Sequence, residues 1–374
     1  MTELRVGIAG LGAASKLVLP YFGKVAGVRL AAGADVRPEA RATFEQTHGL
    51  PTFANAEDLC RSALVDAVWI ETPTHLHCAH AISAAENGKH VICAKPLAVT
   101  LEECDRMIAA AREHGVKLLV GHSKSFDAPI RAMADIVRSG RLGKVIQIDS
   151  WLYNDWLRRP RLPEELDESK GAGFLLRQSP HLVEIVSFLA GEPATRVRAM
   201  AGQWDPQIPT KGNAGALIAF NSGAFATISL NGYGYFETSE LTFGIGSMGD
   251  VRRTATPRPR GVPLSEKDKY AAATEGDMRR QGDAQPFFGL TIVACERGVI
   301  RQSPRGLLVY TDEGCSEAEV PAHPGRAAEL MEMRDALREN RDVFPNGEWG
   351  KAVLEVCLAI LRSAREGTDV TLPR

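Results

Sequence analysis

The chain has 374 residues, enough for two domains of ordinary size. Its 44 Lys and Arg residues nearly balance 46 Asp and Glu residues, and a formal net charge of -2 argues against a nucleic acid or another polyanion as partner. Seven scattered cysteines without a Cys-x-x-Cys pair indicate neither a disulfide framework nor a zinc site. No signal core or membrane-length apolar run is present, so we expect a cytoplasmic protein that does not bind a membrane.

The first 35 residues follow the order of a dinucleotide-binding βαβ unit. An apolar strand at 5–10 leads into a glycine turn and a helix-like stretch through Lys24. A second apolar strand at 29–34 then ends in Asp35. Ser15 stands where the usual motif has its third glycine, and its small side chain still permits close packing of helix and strand.

Each part of this motif has a physical role. Gly10 would allow the tight turn, and Gly12 would let backbone N–H groups approach a pyrophosphate at a helix N-terminus. Asp35 would accept hydrogen bonds from a ribose, which favours NAD as cofactor. Arg37 would tolerate a 2′-phosphate, so NADP is the alternative.

The rest of the N-terminal third alternates strands and helices. Apolar runs predict strands at 66–70, 89–93 and 116–120, and amphipathic patterns predict helices at 75–87 and 100–114. Such alternation at short intervals is typical of a doubly wound parallel sheet. We therefore predict an α/β Rossmann domain over residues 1–122.

The pattern changes after about residue 145. Strands are predicted at 145–151, 214–220, 224–230, 240–246 and 306–310, with a hairpin turn at 221–223, and helices at 327–340 and 350–366. The segment 252–285 is rich in Pro, Arg, Asp and Lys, and it is predicted to be a loop or arm. We expect residues 123–374 to form an α+β domain with an open, mostly antiparallel sheet, whose C-terminal helices pack back towards the first domain.

Loops that follow two predicted strands carry further candidate residues. Lys95 and Pro96 follow the strand at 89–93, and the segment 72–77 follows the strand at 66–70. Ligands of a doubly wound sheet bind outside the carboxyl ends of its strands, and a partly buried lysine there is suited to act as a base or donor. A cis bond before Pro96 would aim Lys95 inward, although a surface lysine also fits this position.

The residues expected to contact the cofactor come from these loops and the glycine motif. They are Gly10, Gly12, Ala13, Ala14, Asp35, Arg37, Thr72, Pro73, His75, His77, Lys95 and Pro96. His75 and His77 lie two residues apart without an evident third ligand, so we expect no metal site.

Two clusters after residue 145 are candidates for substrate binding. His181 follows a glycine-rich run, and a histidine there could exchange a proton with a substrate oxygen, or could cap or pack against a helix. Interleaved aromatic and arginine side chains at 151–161 suit a flat carboxylated ring, or form a surface turn paired with the acids at 164–167. The expected substrate-binding residues are His122, Trp156, Arg158, Arg159, Arg161, Arg177 and Gln178.

Four segments together resemble the glucose–fructose oxidoreductase, inositol dehydrogenase and rhizopine-catabolism family (Gfo/Idh/MocA). They are GLGAAS at 10–15, TPTHLH at 72–77, AKP at 94–96 and GAGFLLRQSPH at 171–181. The resemblance implies NAD(P)-dependent hydride transfer from a carbinol carbon, with Lys95 as the catalytic lysine and His181 as its partner near the reacting oxygen. It also implies a homodimer or homotetramer formed through the open sheet.

Two departures from the family pattern narrow the expected substrate. Ala94 replaces the usual glutamate before Lys-Pro, and Arg177 replaces the common aspartate four residues before the histidine. The arginine favours a small anionic substrate and, with the segment 154–167, resembles the branch of phthalate 4,5-dihydrodiol dehydrogenases, which oxidise carboxylated aromatic cis-dihydrodiols to catechols. The alternatives are a sugar, inositol or sugar-acid dehydrogenase, and a non-catalytic NAD-binding sensor or scaffold.

Overall fold

The structure is a computed structural model that describes residues 3–121, 124–159, 161–251, 282, 284–322 and 324–373. The chain divides into two compact units. Within the described residues, the first unit comprises 3–121 and 325–354, and the second comprises the remainder. His122 and most of the segment 252–285 lie outside the described residues.

The first unit contains a six-stranded sheet in the order β3-β2-β1-β4-β5-β6. Its strands are β1 (Leu4–Ala9), β2 (Val28–Ala34), β3 (Thr52–Phe53), β4 (Ala67–Ile70), β5 (His90–Ala94) and β6 (Leu118–Gly121). Every neighbouring pair is parallel. Val6, Ile8 and Trp69 are fully buried, as expected for a sheet covered on both faces. The predicted doubly wound sheet is confirmed.

The α-helices of the described residues alternate with the strands in the first unit and are sparse in the second. They are α1 (Pro38–His48), α2 (Ala56–Arg61), α3 (Thr74–Glu86), α4 (Leu101–Glu113), α5 (Ala128–Arg138), α6 (Gly173–Ala190), α7 (Ala327–Arg338) and α8 (Gly347–Glu366). Thr100 and Glu103 form the capping box that their spacing predicts, which fixes the start of α4.

The predicted helix after the glycine turn is wrong. The segment forms two short 3-10 turns instead, Ser15–Leu17 and Leu19–Tyr21. Pro20 lacks the N–H that an α-helix would use at that position, and its ring clashes with the carbonyl group four residues earlier. The loop after β1 is therefore built from these short turns rather than from the end of a long helix.

The second unit contains a nine-stranded sheet in the order β14-β13-β12-β11-β7-β10-β9-β8-β15. Its strands are β7 (Val145–Tyr153), β8 (Ala194–Gly202), β9 (Asn213–Phe220), β10 (Phe225–Asn231), β11 (Leu290–Cys295), β12 (Gly298–Gln302), β13 (Gly306–Thr311), β14 (Gly314–Glu319) and β15 (Val370–Thr371). The β7–β10 pair is parallel and the other pairs are antiparallel, which confirms the mostly antiparallel sheet.

One predicted strand of this unit is wrong. The segment 240–246 forms part of a 3-10 turn at Thr238–Leu241 and a bend rather than a strand. Phe243 has a φ of 58° and Gly244 a φ of 71°, both in the left-handed region that an extended strand cannot contain. The turn and the bend place Thr238 and Thr242 beside the end of β7, where both residues line a cavity.

The two faces of the large sheet differ in burial. The inner face carries Ile148, Ile218 and Ile228, which are almost completely buried, and α6 packs against β7 and β10. Alternate residues point to the opposite face, where Trp151 is 41% exposed and Leu217 is 46% exposed. The second unit therefore has one covered and one exposed sheet face.

Candidate active site

The glycine turn of the first unit lies where the strand order reverses, between β1 and β4. Gly10 has a φ of 96°, and a Cβ added to it would lie 2.7 Å from the carbonyl oxygen of Glu71 and 2.9 Å from the nitrogen of Thr72. The loops after β1 and β4 thus touch, and only glycine fits between them. Dinucleotides bind at this position in open parallel sheets. The glycine cradle, formed by the loops after β1 and β4 around Gly10, therefore fits such a cofactor.

Ser15 serves as the third small residue of the motif. Its side chain is 1% exposed, and its Oγ donates a hydrogen bond of 2.8 Å to the carbonyl oxygen of Gly12. The hydroxyl therefore closes the turn that a glycine would otherwise leave open. Ala13 and Ala14 lie between these two residues and leave the turn without bulky side chains.

Asp35 and Arg37 form a tight pair at the carboxyl end of β2. The Asp35 carboxylate accepts hydrogen bonds from the Leu11 N–H at 2.8 Å, and from the Arg37 guanidinium at 3.0 Å on each oxygen. The two side chains are only 7% and 22% exposed. A ribose bound here would have to share the carboxylate oxygens of Asp35 with Arg37.

His77 ties two of the predicted cofactor loops together. Its Nδ1 lies 3.0 Å from the carbonyl oxygen of Pro96, and its Nε2 lies 2.8 Å from that of Thr72. Because its side chain is 1% exposed, we infer that His77 positions the loops after β4 and β5 rather than contacting a cofactor. His75 and Pro73, by contrast, are exposed at the start of α3.

Lys95 lies directly after β5, at the same edge of the sheet as the glycine turn. The Lys95–Pro96 peptide bond is cis, as predicted, and Lys95 is half-buried while Pro96 is buried. Two residues earlier, burial raises the pKa of the Cys93 thiol well above its ordinary value, so this cysteine is an inert part of the core.

The second unit contains a cavity of about 260 Å³ at the end of β7. Its walls include four aromatic side chains, from Tyr153, Trp156, Phe287 and Phe288. Its polar lining includes Asn154, Arg159, Arg161 and Gln178. A pocket that combines aromatic walls with convergent polar groups is typical of a small-molecule site.

The predicted arginine cluster does not converge as a whole on this cavity. Arg159 and Arg161 line it, as do Trp156 and Gln178. Arg158 instead donates from Nε to the carbonyl oxygen of Tyr233 and lies 4.2 Å from the ring centroid of Tyr235. Neither Arg158 nor Arg177 is among the residues that line the cavity.

His181 adjoins the cavity through an aromatic side chain. It is 9% exposed in α6, and its ring centroid lies 4.4 Å from that of Phe288. The Lys124 ammonium lies 5.3 Å from the Phe288 centroid and pairs with the buried carboxylate of Asp127 at 3.0 Å. Phe288 therefore contacts both His181 and the space where a ligand would lie.

Sequence reasoning placed Tyr153 and Trp156 in the candidate segment 151–161, but it missed two of the aromatic walls, Phe287 and Phe288, and the neighbouring Lys124. Phe287 and Phe288 lie more than a hundred residues after Tyr153, and the β7–β11 pairing brings the two segments together. The one local signal is the Phe287-Phe288-Gly289 segment, which directly precedes a strand. His122 was predicted to bind substrate and lies outside the described residues.

Two features are absent from the residues that the structure describes. No three His, Cys, Asp or Glu side chains in these ranges are grouped as a metal ion requires. None of the helices among them is sufficiently long and apolar to span a membrane.

Comparison with known families gives two matches. Residues 4–122 match the model of an oxidoreductase family with an NAD-binding Rossmann fold, and residues 130–248 match the GFO/IDH/MocA C-terminal domain. The two matches fall on the glycine turn with its neighbouring loops and on the part of the chain that contains His181.

Individual relatives match between 66% and 99% of this chain. A 1-carboxy-3-chloro-3,4-dihydroxycyclohexa-1,5-diene dehydrogenase of Comamonas testosteroni is 32% identical and covers 97% of this chain and 95% of the relative. A myo-inositol 2-dehydrogenase of Thermotoga maritima is 27% identical over 66% of this chain and 74% of its own. The crystal structure of a protein assigned as a dehydrogenase, from Bordetella bronchiseptica, has a TM-score of 0.92 at 35% identity and covers 99% of this chain and 100% of the other.

Proposed function

The chain belongs to the GFO/IDH/MocA family of NAD-dependent oxidoreductases, and from this premise we propose its substrate. The proposed reaction oxidises a carbinol carbon of a carboxylated aromatic cis-dihydrodiol, such as a phthalate dihydrodiol, to give a catechol. The cavity of the second unit carries this proposal, because its aromatic walls suit a flat ring and its arginines suit a carboxylate. The relative that acts on a carboxylated dihydroxycyclohexadiene supports the same substrate class.

The residues of the glycine cradle would hold NAD. The turn at Gly10 would receive the pyrophosphate, and Asp35 would receive the ribose in competition with Arg37. When bound, NAD supplies the acceptor for the hydride that leaves the carbinol carbon. We retain NADP as the alternative cofactor, because Arg37 is placed beside the ribose position.

We assign Lys95 the role of base. An amine at the carboxyl edge of the sheet can take the proton from the substrate hydroxyl group as the hydride leaves. The remaining hydroxydienone then tautomerises to a catechol, and the gain of aromaticity makes the overall step strongly favourable. His181, held against Phe288, is assigned to orient the diol and relay the proton.

A dehydrogenase for inositol, a sugar or a sugar acid is the second candidate. The cavity lining also includes Asn154, Gln178, Thr238 and Ser239, whose amide and hydroxyl groups would bind the hydroxyl groups of a polyol. The myo-inositol dehydrogenase relative supports this reading. A non-catalytic NAD sensor would bind the cofactor and reduce none of it with either substrate class.

A parallel assay of NAD reduction separates these functions. The full chain is supplied with a carboxylated cis-dihydrodiol, myo-inositol or a sugar acid, and the reduced nicotinamide is followed by its absorbance. The proposal predicts turnover of the dihydrodiol with a catechol as product. Turnover of myo-inositol or the sugar acid alone would contradict it.

We infer assembly through the exposed face of the large sheet, as a homodimer or homotetramer. Trp151, Leu217 and Tyr310 lie on this face, and Met200 there is 78% exposed. Large exposed apolar side chains on one sheet face are typical of a contact with another copy. Light scattering of the purified chain would report a single protomer mass if this inference were wrong.

We also infer a cytoplasmic location. All seven cysteines are free thiols, and six of them are buried. Burial raises the pKa of Cys60 to about 11, so this thiol stays protonated and unreactive. Free thiols of this kind suit a reducing compartment, which is also where a pool of NAD is available.

A further inference from the structure

We propose that His80 sets the hydrogen-bonding role of Thr72 towards the cofactor. While His80 is neutral, the Thr72 hydroxyl donates its proton to the histidine and presents its oxygen to bound NAD as an acceptor. His80 is thus a positioning residue that acts through Thr72. This inference rests on the proposed placement of NAD in the glycine cradle, and it adds the position of one proton within that site.

Thr72 lies in the loop after β4, beside the glycine turn. Its backbone nitrogen would lie 2.9 Å from a Cβ added to Gly10. Thr72 is half-buried, so its side chain has a covered side and an open side. A dinucleotide in the cradle would lie against this loop, and we therefore expect it to meet the open side of Thr72.

On the covered side, the Thr72 hydroxyl is bonded to His80 of α3. Its Oγ1 lies 3.0 Å from Nδ1 of His80, which is 8% exposed. The other ring nitrogen, Nε2, lies 3.7 Å from a carboxylate oxygen of Glu57 on α2. A lone pair on Nε2 would be repelled by this carboxylate, whereas an N–H would be attracted to it. Glu57 therefore favours the neutral tautomer that has its proton on Nε2.

This tautomer decides the direction of the bond between His80 and Thr72. Neutral His80 then has only a lone pair at Nδ1, so the hydroxyl donates to it and keeps two lone pairs on its open side. Those lone pairs suit an N–H or O–H group of the dinucleotide, such as its carboxamide or a ribose hydroxyl. Protonated His80 donates from Nδ1 instead, which leaves one lone pair and one proton on the open side of Thr72.

Burial keeps His80 neutral at neutral pH. It lowers the pKa of His80 below the ordinary value of 6.5, the Glu57 carboxylate raises this pKa in part, and His75 lowers it. Of the described residues, Glu57 on α2 and His75 on α3 are the titratable groups that act on His80. Because NAD binds better to the neutral form, its affinity should fall as the pH falls through the pKa of His80.

The test measures the dissociation constant of NAD for the full chain, without substrate, at about pH 7.5 and about pH 5 by isothermal titration. For the unmodified chain we expect Kd to be about fivefold higher at the lower pH, the effect of one hydrogen bond. His80→Gln has no charge to gain, so its Kd should be the same at both pH values. His90→Gln is the matched control and should keep the rise, because it removes another histidine of the same unit whose pKa burial lowers. Circular dichroism at both pH values establishes that each variant is folded.

Two substitutions of Thr72 keep the inference testable if His80→Gln does not fold. Thr72→Val removes the hydroxyl, so it should raise Kd about fivefold at the higher pH and abolish the pH dependence. Thr72→Ser keeps the hydroxyl and should behave as the unmodified chain. A Kd of the unmodified chain that does not rise at the lower pH, or a rise that persists in His80→Gln or Thr72→Val, would overturn this inference and leave the proposed function standing. An absence of NAD binding at either pH would overturn both.

Discussion

The cofactor end of the first unit and the cavity of the second are built in different ways. The first depends on the backbone, because Gly10 leaves room for the loop after β4 and both ring nitrogens of His77 lie within hydrogen-bond distance of carbonyl oxygens. The second depends on side chains, because aromatic rings and arginines from separate segments of the chain line the cavity. Backbone geometry sets whether a dinucleotide fits, whereas the side chains that line the cavity set which small molecule it accepts.

The largest effect is expected from a substitution of Lys95, which should slow the chemical step without weakening cofactor binding. Lys95→Ala should lower kcat about 10³-fold, since a positioned base contributes on this order, and should leave NAD affinity nearly unchanged. Steady-state rates and a fluorescence titration with NADH give the two quantities. Lys24→Ala, which removes an exposed lysine of the same unit, is the control. Undiminished turnover in Lys95→Ala would remove the lysine from the mechanism.

Gly10→Ala tests the backbone cradle itself. The new Cβ would lie 2.7 Å from the Glu71 oxygen at a φ of 96°, so NAD affinity should fall about 100-fold as the loops separate. Gly88→Ala is the matched control, because Gly88 has a φ of 69° and open space around it. Isothermal titration of both variants with NAD distinguishes a clash with Glu71 from the strain of a side chain at a positive φ. Similar losses in both would show that the contact with Glu71 is unimportant.

Asp35→Ala tests the pair at the ribose position. Removing the carboxylate should weaken NAD about tenfold, through loss of a charge-assisted hydrogen bond, and strengthen NADP by releasing Arg37. Dissociation constants for both cofactors, measured with the unmodified chain as reference, give the ratio. An unchanged ratio of the dissociation constants for NAD and NADP would mean that Asp35 and Arg37 do not determine which of the two cofactors binds.

The smallest effect concerns acid stability of the first unit. Burial, more than neighbouring charge, holds the pKa of His80 and of His90 below the ordinary value of 6.5. Both are neutral in the folded and unfolded chain above that pH, and below it the unfolded chain binds the extra protons first. The free energy of unfolding should therefore decrease as the pH falls below 6.5, and His90→Gln should reduce this dependence. Thermal unfolding over a pH series measures it, and a flat profile would contradict it.

Local patterns predicted much of the fold. The glycine turn, the Thr100–Glu103 capping box and the hairpin at 221–223 each depend on a few adjacent residues, and all three are present. The helix predicted through Lys24 failed because one proline outweighed an otherwise helical pattern.

In the candidate site, too, features set by the local sequence could be predicted, whereas contacts between distant segments could not. Lys95 could be predicted because it follows a strand whose edge the parallel topology determines. Phe288 could not, because its neighbour His181 is more than a hundred residues away and nothing local signals their contact. The pairing of Arg159 with Asp155 was also missed, because residue type alone does not show which acid an arginine meets.

The most direct test of the central claim is the product formed from a carboxylated cis-dihydrodiol by the full chain and NAD. If the chain is a dihydrodiol dehydrogenase, we expect one catechol to be released for each NAD reduced. NAD should not be reduced when myo-inositol or a sugar acid replaces the dihydrodiol. Reduction with myo-inositol or a sugar acid, and none with the dihydrodiol, would contradict the account and identify the cavity as a site for a polyol or sugar acid.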